Sequence, residues 1–338
     1  LKGHRCVVLE NELLRVTVLA DKGADIYEFL YKPRDLDFMW RSWVGLRERA
    51  HFVPTGSREN GAHMDYYEGG WQELFPNCGG ASLHQGADIG QHGEVMLLPW
   101  DYSITVDEPD RIEVRFGVRT VRTPFRLVKT MSLGRGESVL RIHERITNES
   151  GQPVDFTWGQ HPALGWPFLD ESCRVDLPTC RIRAIGEFTP PTSRLKAEQE
   201  SGWPLAEGAD NTTVDLSRIP DPAVRASDMV FLEGITDGWY AVTNTRMKVG
   251  FAMRYPANIF KYLWHWQVYR GGDDYPWWGA TYNMALEPCA TLPILAEAAR
   301  NSSALTLDAG ASLEVDLLAA AYEGLESVSY VESDGRVR

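Results

Sequence analysis

Residues 103–147 read SITVDEPDRIEVRFGVRTVRTPFRLVKTMSLGRGESVLRIHERIT, and their pattern decides the fold class. Four runs, Ser103–Asp107, Arg111–Arg119, Phe125–Leu133 and Ser138–Thr147, largely alternate apolar and polar positions. Turn residues separate them, notably Glu108-Pro109-Asp110 and Gly134-Arg135-Gly136. Alternation at period two, with connections this short, means antiparallel strands that bury one face. The same grammar extends outward in both directions. Upstream, RVTVLADKGADIYEFLYKP (residues 15–33) reads as two strands around a Lys-Gly turn. Downstream, strand-like runs recur at Trp239–Asn244, Val249–Arg254, Tyr262–Tyr269, Tyr282–Leu286 and Ser312–Ala320. Helical periodicity is scarce and predicts only a turn or two at Phe52–Asn60 and Leu292–Arg300. Pro190–Pro222 is rich in Pro, Gly, Ser and charge, and reads as an irregular inserted loop. The expectation is an all-β chain: one β-sandwich domain over residues 1–338, built from twisted antiparallel sheets.

The 338 residues are 43% hydrophobic and 24% charged, enough to bury a substantial core. A net charge of −13 repels a phosphate backbone and an anionic membrane surface, which argues against nucleic acid or lipid as partner. No stretch approaches the roughly 20 apolar residues of a membrane-spanning helix. The start, LKGHRCVVLENELLRV, lacks the layout of a signal peptide, so a cytoplasmic protein is expected, as monomer or homodimer. Cys6, Cys78, Cys173, Cys180 and Cys289 are odd in number and contain no C-x-x-C pair, so they indicate neither a disulfide framework nor a zinc knuckle. His84 and the His63-Met64-Asp65 pair match no known metal spacing, and neither metal nor cofactor is expected. The 12 Trp are an excess that suits platforms for the C–H faces of sugars.

Three stretches look over-specified for structure alone. Glu68–Trp100 carries paired glycines at 69–70 and 79–80, which allow close backbone approach, and then His92-Gly93 before an apolar run ending in Pro99-Trp100. Thr157–Leu169, TWGQHPALGWPFL, holds His161 between Trp158 and Trp166 and fixes the backbone after it with Pro162. Tyr282–Pro288, YNMALEP, closes an apolar strand with Glu287, a carboxylate that is costly to bury unless paired or employed.

In that order and spacing, HGEVMLLPW, GQHPALGWPFL and MALEP resemble the two histidine motifs and the C-terminal glutamate motif of aldose 1-epimerases, the galactose mutarotase-like superfamily. The resemblance implies a β-supersandwich and a sugar substrate. It implies His161 as general acid and Glu287 as general base, with His92 and Asp228 binding substrate. Trp158 and Trp278 are expected to flank the sugar. The segment EGGWQELFPNCGG also resembles the region in which hexose-6-phosphate epimerases hold phosphate with arginines. Glu68 and Glu94-Val95-Met96 stand at those places here, so a non-phosphorylated aldose is expected. Ring opening of a hemiacetal needs one group to take the O1 proton and another to protonate the ring oxygen. Two rival readings stay open: a glycosidase or lyase on the same scaffold, and a non-catalytic carbohydrate-binding protein.

Overall fold

The computed structural model describes residues 1–51 and 61–338, so the short helix expected at Phe52–Asn60 lies outside the described residues. The segment quoted above forms the meander its pattern predicts. Asp101–Glu108, Arg111–Arg119, Phe125–Gly134 and Val139–Asn148 pair antiparallel in sequence order. Together with Ser312–Glu323, Val249–Arg254, Trp239–Asn244 and Cys173–Asp176 they make an eight-stranded sheet.

A second, larger sheet faces it. From one edge inward it runs Cys6–Glu10, Leu14–Leu19, Asp25–Tyr31, Trp71–Leu74 and Gly159–Gly165. It continues through Tyr282–Cys289, Tyr262–Tyr269, Ala226–Glu233 and Arg181–Ala184 to Gln199–Gly202. The expected loop at Pro190–Pro222 is therefore less irregular than its composition suggests. Gln199–Gly202 adds the edge strand, and Leu205–Glu207 pairs with Thr213–Asp215 as a small hairpin. Of the two helical segments, Leu295–Arg300 forms a short helix. Apolar side chains from facing strands fill the space between the sheets; Phe29 meets Phe251 edge-on at 5.5 Å, and Phe38 meets Phe168 at 4.7 Å.

Strict alternation also drives charge inward. In Phe125–Gly134 the inward positions are Phe125, Leu127, Lys129, Met131 and Leu133, all buried. Lys129 is tolerable there only because its ammonium lies 2.7 Å from Glu73 and 3.5 Å from Glu144. Burial and the neighbouring Glu73 push the Glu144 carboxyl well up. Burial alone also raises Glu73, but Lys129 and hydrogen bonds outweigh it and hold that carboxyl down. Replacing Lys129 with Met strands this carboxylate pair, and we expect a loss of about 3–5 kcal/mol in urea denaturation. A loss below about 1 kcal/mol would mean the pair is already neutral without its cation.

His265 occupies the same inter-sheet face, opposite Val230 and Leu286. Neither ring nitrogen has a hydrogen-bond partner among the described residues. Burial, and then the charge on Arg194, lower its pKa from 6.5 to about 3. With the folded value depressed, the unfolded chain binds the extra proton, so this contribution is intact above pH 6.5 and lost as pH falls toward 3. His265→Phe should therefore gain stability relative to the parent over that fall, by up to about 5 kcal/mol. Denaturation midpoints measured across the range check it; parallel curves would refute it.

Candidate active site

His161 sits in Gly159–Gly165, an inner strand of the large sheet, and its neighbour on one side is Tyr282–Cys289. The register pairs Gly159 with Cys289 and Ala163 with Ala285, which sets His161 opposite Glu287. Imidazole Nε2 stands 3.4 Å from carboxylate Oε1. Between those pairs the ladder is interrupted, and Pro162 and Pro288, which have no N–H to donate, fall within or beside the gap. The line continues in both directions. Gln72 is paired with His161, Trp264 with Glu287, Phe231 with Trp264, and Arg183 with Phe231. Six adjacent strands thus give one row, and residues directly opposite one another project from the same face.

A cleft of about 840 Å³ opens over this row. At the end of the cleft that holds His161 and Glu287, the residues His63, Tyr67, His92, Trp266 and Trp277 surround the pair. A hydrogen bond of 3.3 Å joins the Tyr67 hydroxyl to His161 Nδ1, which leaves Nε2 to face Glu287. His92 accepts a hydrogen bond at Nδ1 from the Gly79 N–H, 3.1 Å away, and its ring lies 5.5 Å from that of His161. The turn that presents it demands glycine next: at Gly93, φ is +89° and a Cβ would stand 2.1 Å from the Phe75 carbonyl oxygen. His63 meets His92 edge-on at 4.8 Å and stacks on Tyr67 at 5.1 Å.

Desolvation dominates the electrostatics. Burial lowers the His161 pKa to about 4 and pushes His63 and His92 well below 6.5. Burial, then nearby Cys78, pushes the Glu287 carboxyl well above its usual 4.5. Oε2 of Glu287 has no hydrogen-bond partner among the described residues. No three His, Cys, Asp or Glu side chains among the described residues are grouped to hold a metal ion.

Of the residues singled out from sequence, His161, Glu287 and His92 meet in the cleft. Asp228 does not. It lies opposite Gln267, which lies opposite Met284, so it projects from the face away from Glu287. There its carboxylate is fully buried and accepts from Ser193 Oγ at 2.8 Å and Arg194 Nε at 2.6 Å. Trp158 is likewise beneath the sheet: its indole donates to Glu73 and its ring packs on Phe260. Trp278 is 58% exposed in a loop outside the cleft lining, whereas its neighbour Trp277 packs on Trp266 at 5.2 Å. Glu68 and Glu94 also lie outside the lining. Lys22 binds Glu68 at 2.8 Å, and Glu94 accepts from the Val121 N–H at 2.8 Å. Sequence reasoning missed Tyr67, Trp264, Trp266 and Arg183. Strand parity was the available signal, since 264 and 266 project as 287 does once the register is known.

A family model described as a domain of unknown function (DUF4432) matches residues 1–319. The chain belongs to that family. No curated protein is significantly similar in sequence. Among solved structures, the chain is similar to the Slr1438 protein of Synechocystis sp. PCC 6803, with a TM-score of 0.64 at 16% identity over 96% of this chain and 98% of that one. It is similar to a proposed aldose 1-epimerase of Klebsiella pneumoniae, with a TM-score of 0.67 at 15% identity over 91% and 76%. A galactose mutarotase related enzyme of Lactobacillus acidophilus gives 0.63 at 15% over 94% and 98%. The fold is therefore that of galactose mutarotase-like proteins.

Because desolvation sets the state of the cleft, the His161 ring should titrate near pH 4 in a histidine-resolved NMR titration. A midpoint at the ordinary value of 6.5 would show that water reaches the ring freely.

Proposed function

We propose that this protein interconverts the anomers of a non-phosphorylated aldose or closely related sugar by acid–base ring opening. The observation that supports this most directly is the 3.4 Å approach of His161 Nε2 and Glu287 Oε1 at the cleft floor. O1 and the ring oxygen of a pyranose share one carbon, so the groups serving them must lie within a few ångströms of each other. A glycosidase would instead set two carboxylates about 5–10 Å apart across the sugar. Here the group opposite Glu287 is an imidazole.

The proton count fits the chemistry. With cyclic sugar bound, Glu287 is the carboxylate that takes the O1 proton, and imidazolium His161 protonates the ring oxygen. The pair then stands as carboxylic acid and neutral imidazole beside the open-chain aldehyde. Burial favours that second pair, because it raises Glu287 and lowers His161. Rotation about C1–C2 and reversal of both transfers close the other anomer. The pair carries one proton throughout, so the rate should fall where both groups are protonated and where both are deprotonated, giving a bell-shaped pH profile. Tyr67 at Nδ1 and the aromatic wall of Trp266 and Trp277 hold the ring in one pose.

Exchange between anomeric NMR signals of neutral aldoses, with and without protein, tests this. His161→Gln and Glu287→Gln should each slow exchange by about 10²–10⁴-fold while the melting transition is retained. Exchange unchanged in either variant would overturn the assignment.

A further inference from the structure

The geometry points to a second sugar-binding subsite on the floor of the same cleft, which holds the next ring of a neutral oligosaccharide whose reducing end lies at His161 and Glu287. This rests on the acid–base reading above and extends it to the size and charge of the substrate. Glu287, Trp264, Phe231 and Arg183 are directly opposite one another on four adjacent strands. Three strand spacings separate the first from the last, about 14 Å. One pyranose with its hydroxyls spans between one and two such spacings. The cleft, about 840 Å³, is likewise continuous from His161 to Arg183. A monosaccharide seated on the catalytic pair leaves Arg183 and the exposed Phe188 uncovered.

What lines the far part suits a sugar ring. Trp264 and Phe231 meet edge-on at 5.3 Å, and Phe188, 43% exposed, meets Phe231 at 5.4 Å. Trp264 and Phe231 are buried and support this floor from beneath, and the exposed Phe188 offers the ring face that packs on the C–H face of a pyranose. Around this floor stand polar groups: Arg183, Glu187, Glu297, Asn301 and Ser303. Arg183 already leans toward Glu233, at 3.9 Å. One cation against the carboxylates of Glu187 and Glu297 leaves this end slightly negative, which disfavours a uronate and suits hydroxyls. The direction of extension follows too. Ring opening requires a free O1, so the second ring must be attached through another hydroxyl, on the non-reducing side.

Methyl glycosides test this separately from catalysis, because their anomeric centre cannot open. Binding of methyl maltoside, methyl cellobioside and methyl lactoside is measured by titration calorimetry against methyl glucoside and methyl galactoside. At least one disaccharide should bind about 5-fold or more tightly than its monosaccharide, and Phe188→Ala should remove roughly 3- to 10-fold of that gain while leaving monosaccharide binding unchanged. No disaccharide gain on the parent protein overturns the subsite. So does a uronate-terminated disaccharide that binds tighter than its neutral counterpart, or an O4-linked alkyl chain of equal length that binds as well. Failure of anomer exchange with these binding differences intact would instead count against the acid–base reading alone.

Discussion

The register between Gly159–Gly165 and Tyr282–Cys289 carries the whole site. A slip of one residue turns every side chain of a strand to its other face. Here it would send either His161 or Glu287 into the inter-sheet core and bring Gln160 or Leu286 up to the cleft. Two glycines help to forbid the slip. A Cβ on Gly159 would lie 2.8 Å from Cys289 Sγ and 3.1 Å from Cys78 Sγ, and one on Gly165 would lie 2.6 Å from Trp40 Cδ1. Any neighbour moved into either place brings a side chain where there is no room. The gap in the ladder around Pro162 and Pro288 is a local departure from ideal pairing, at the point where both proposed catalytic side chains stand.

Beneath that face, charge is neutralised in a way that leaves Glu287 apart. Lys129 serves Glu73 and Glu144 between the sheets, and Lys22 serves Asp25 and Glu68 at 2.7 and 2.8 Å. Each ammonium ties two buried carboxyl groups into structure. Glu287 is 2% exposed and is paired, among the described residues, only with His161. Its carboxyl is therefore raised by desolvation and by nearby Cys78, with no lysine or arginine among its ion-pair partners in the described residues. Carboxylates fixed by a lysine differ, because a permanent cation holds them ionised or shares them with a second acid.

Much of the fold was legible because alternation is a local signal. Arg111–Arg119, Trp239–Asn244, Val249–Arg254 and Tyr262–Tyr269 have the same bounds in the structure as their patterns predict. The ordered motifs likewise located His92, His161 and Glu287. What failed was everything that needs to know which face of a strand is which. Asp228 and Met229 are adjacent, and only the pairing with Tyr262–Tyr269 tells that Met229 looks into the cleft while Asp228 looks away. Trp158 goes beneath the sheet by the same parity. In Trp277-Trp278 the two indoles diverge because Trp278 adopts a positive φ of 46°, which no composition signal announces. Gln199–Gly202 was masked by polar residues, as suits an edge strand that packs little apolar surface.

Glu68 and Glu94 bear on substrate choice in a different way from the one their positions suggest. Both are engaged outside the cleft lining, one by Lys22 and the other by backbone N–H groups of Val121 and Arg122, so neither repels a ligand directly. What disfavours a phosphate beside His161 and Glu287 is the lack of a cation there among the described lining residues. Among the described residues that line the cleft, Arg183 is the one arginine or lysine, and it lies three strands from Glu287. A phosphate dianion beside His161 and Glu287 would meet neutral imidazoles and indole faces, with no guanidinium among the described lining residues there to offset its lost hydration. The same surroundings cost a hydroxyl-bearing ring little, since its C–H faces meet the indoles and its hydroxyls meet imidazole nitrogens. Under the proposed function, the desolvation that shifts His161 and Glu287 would therefore also favour an uncharged sugar at that end.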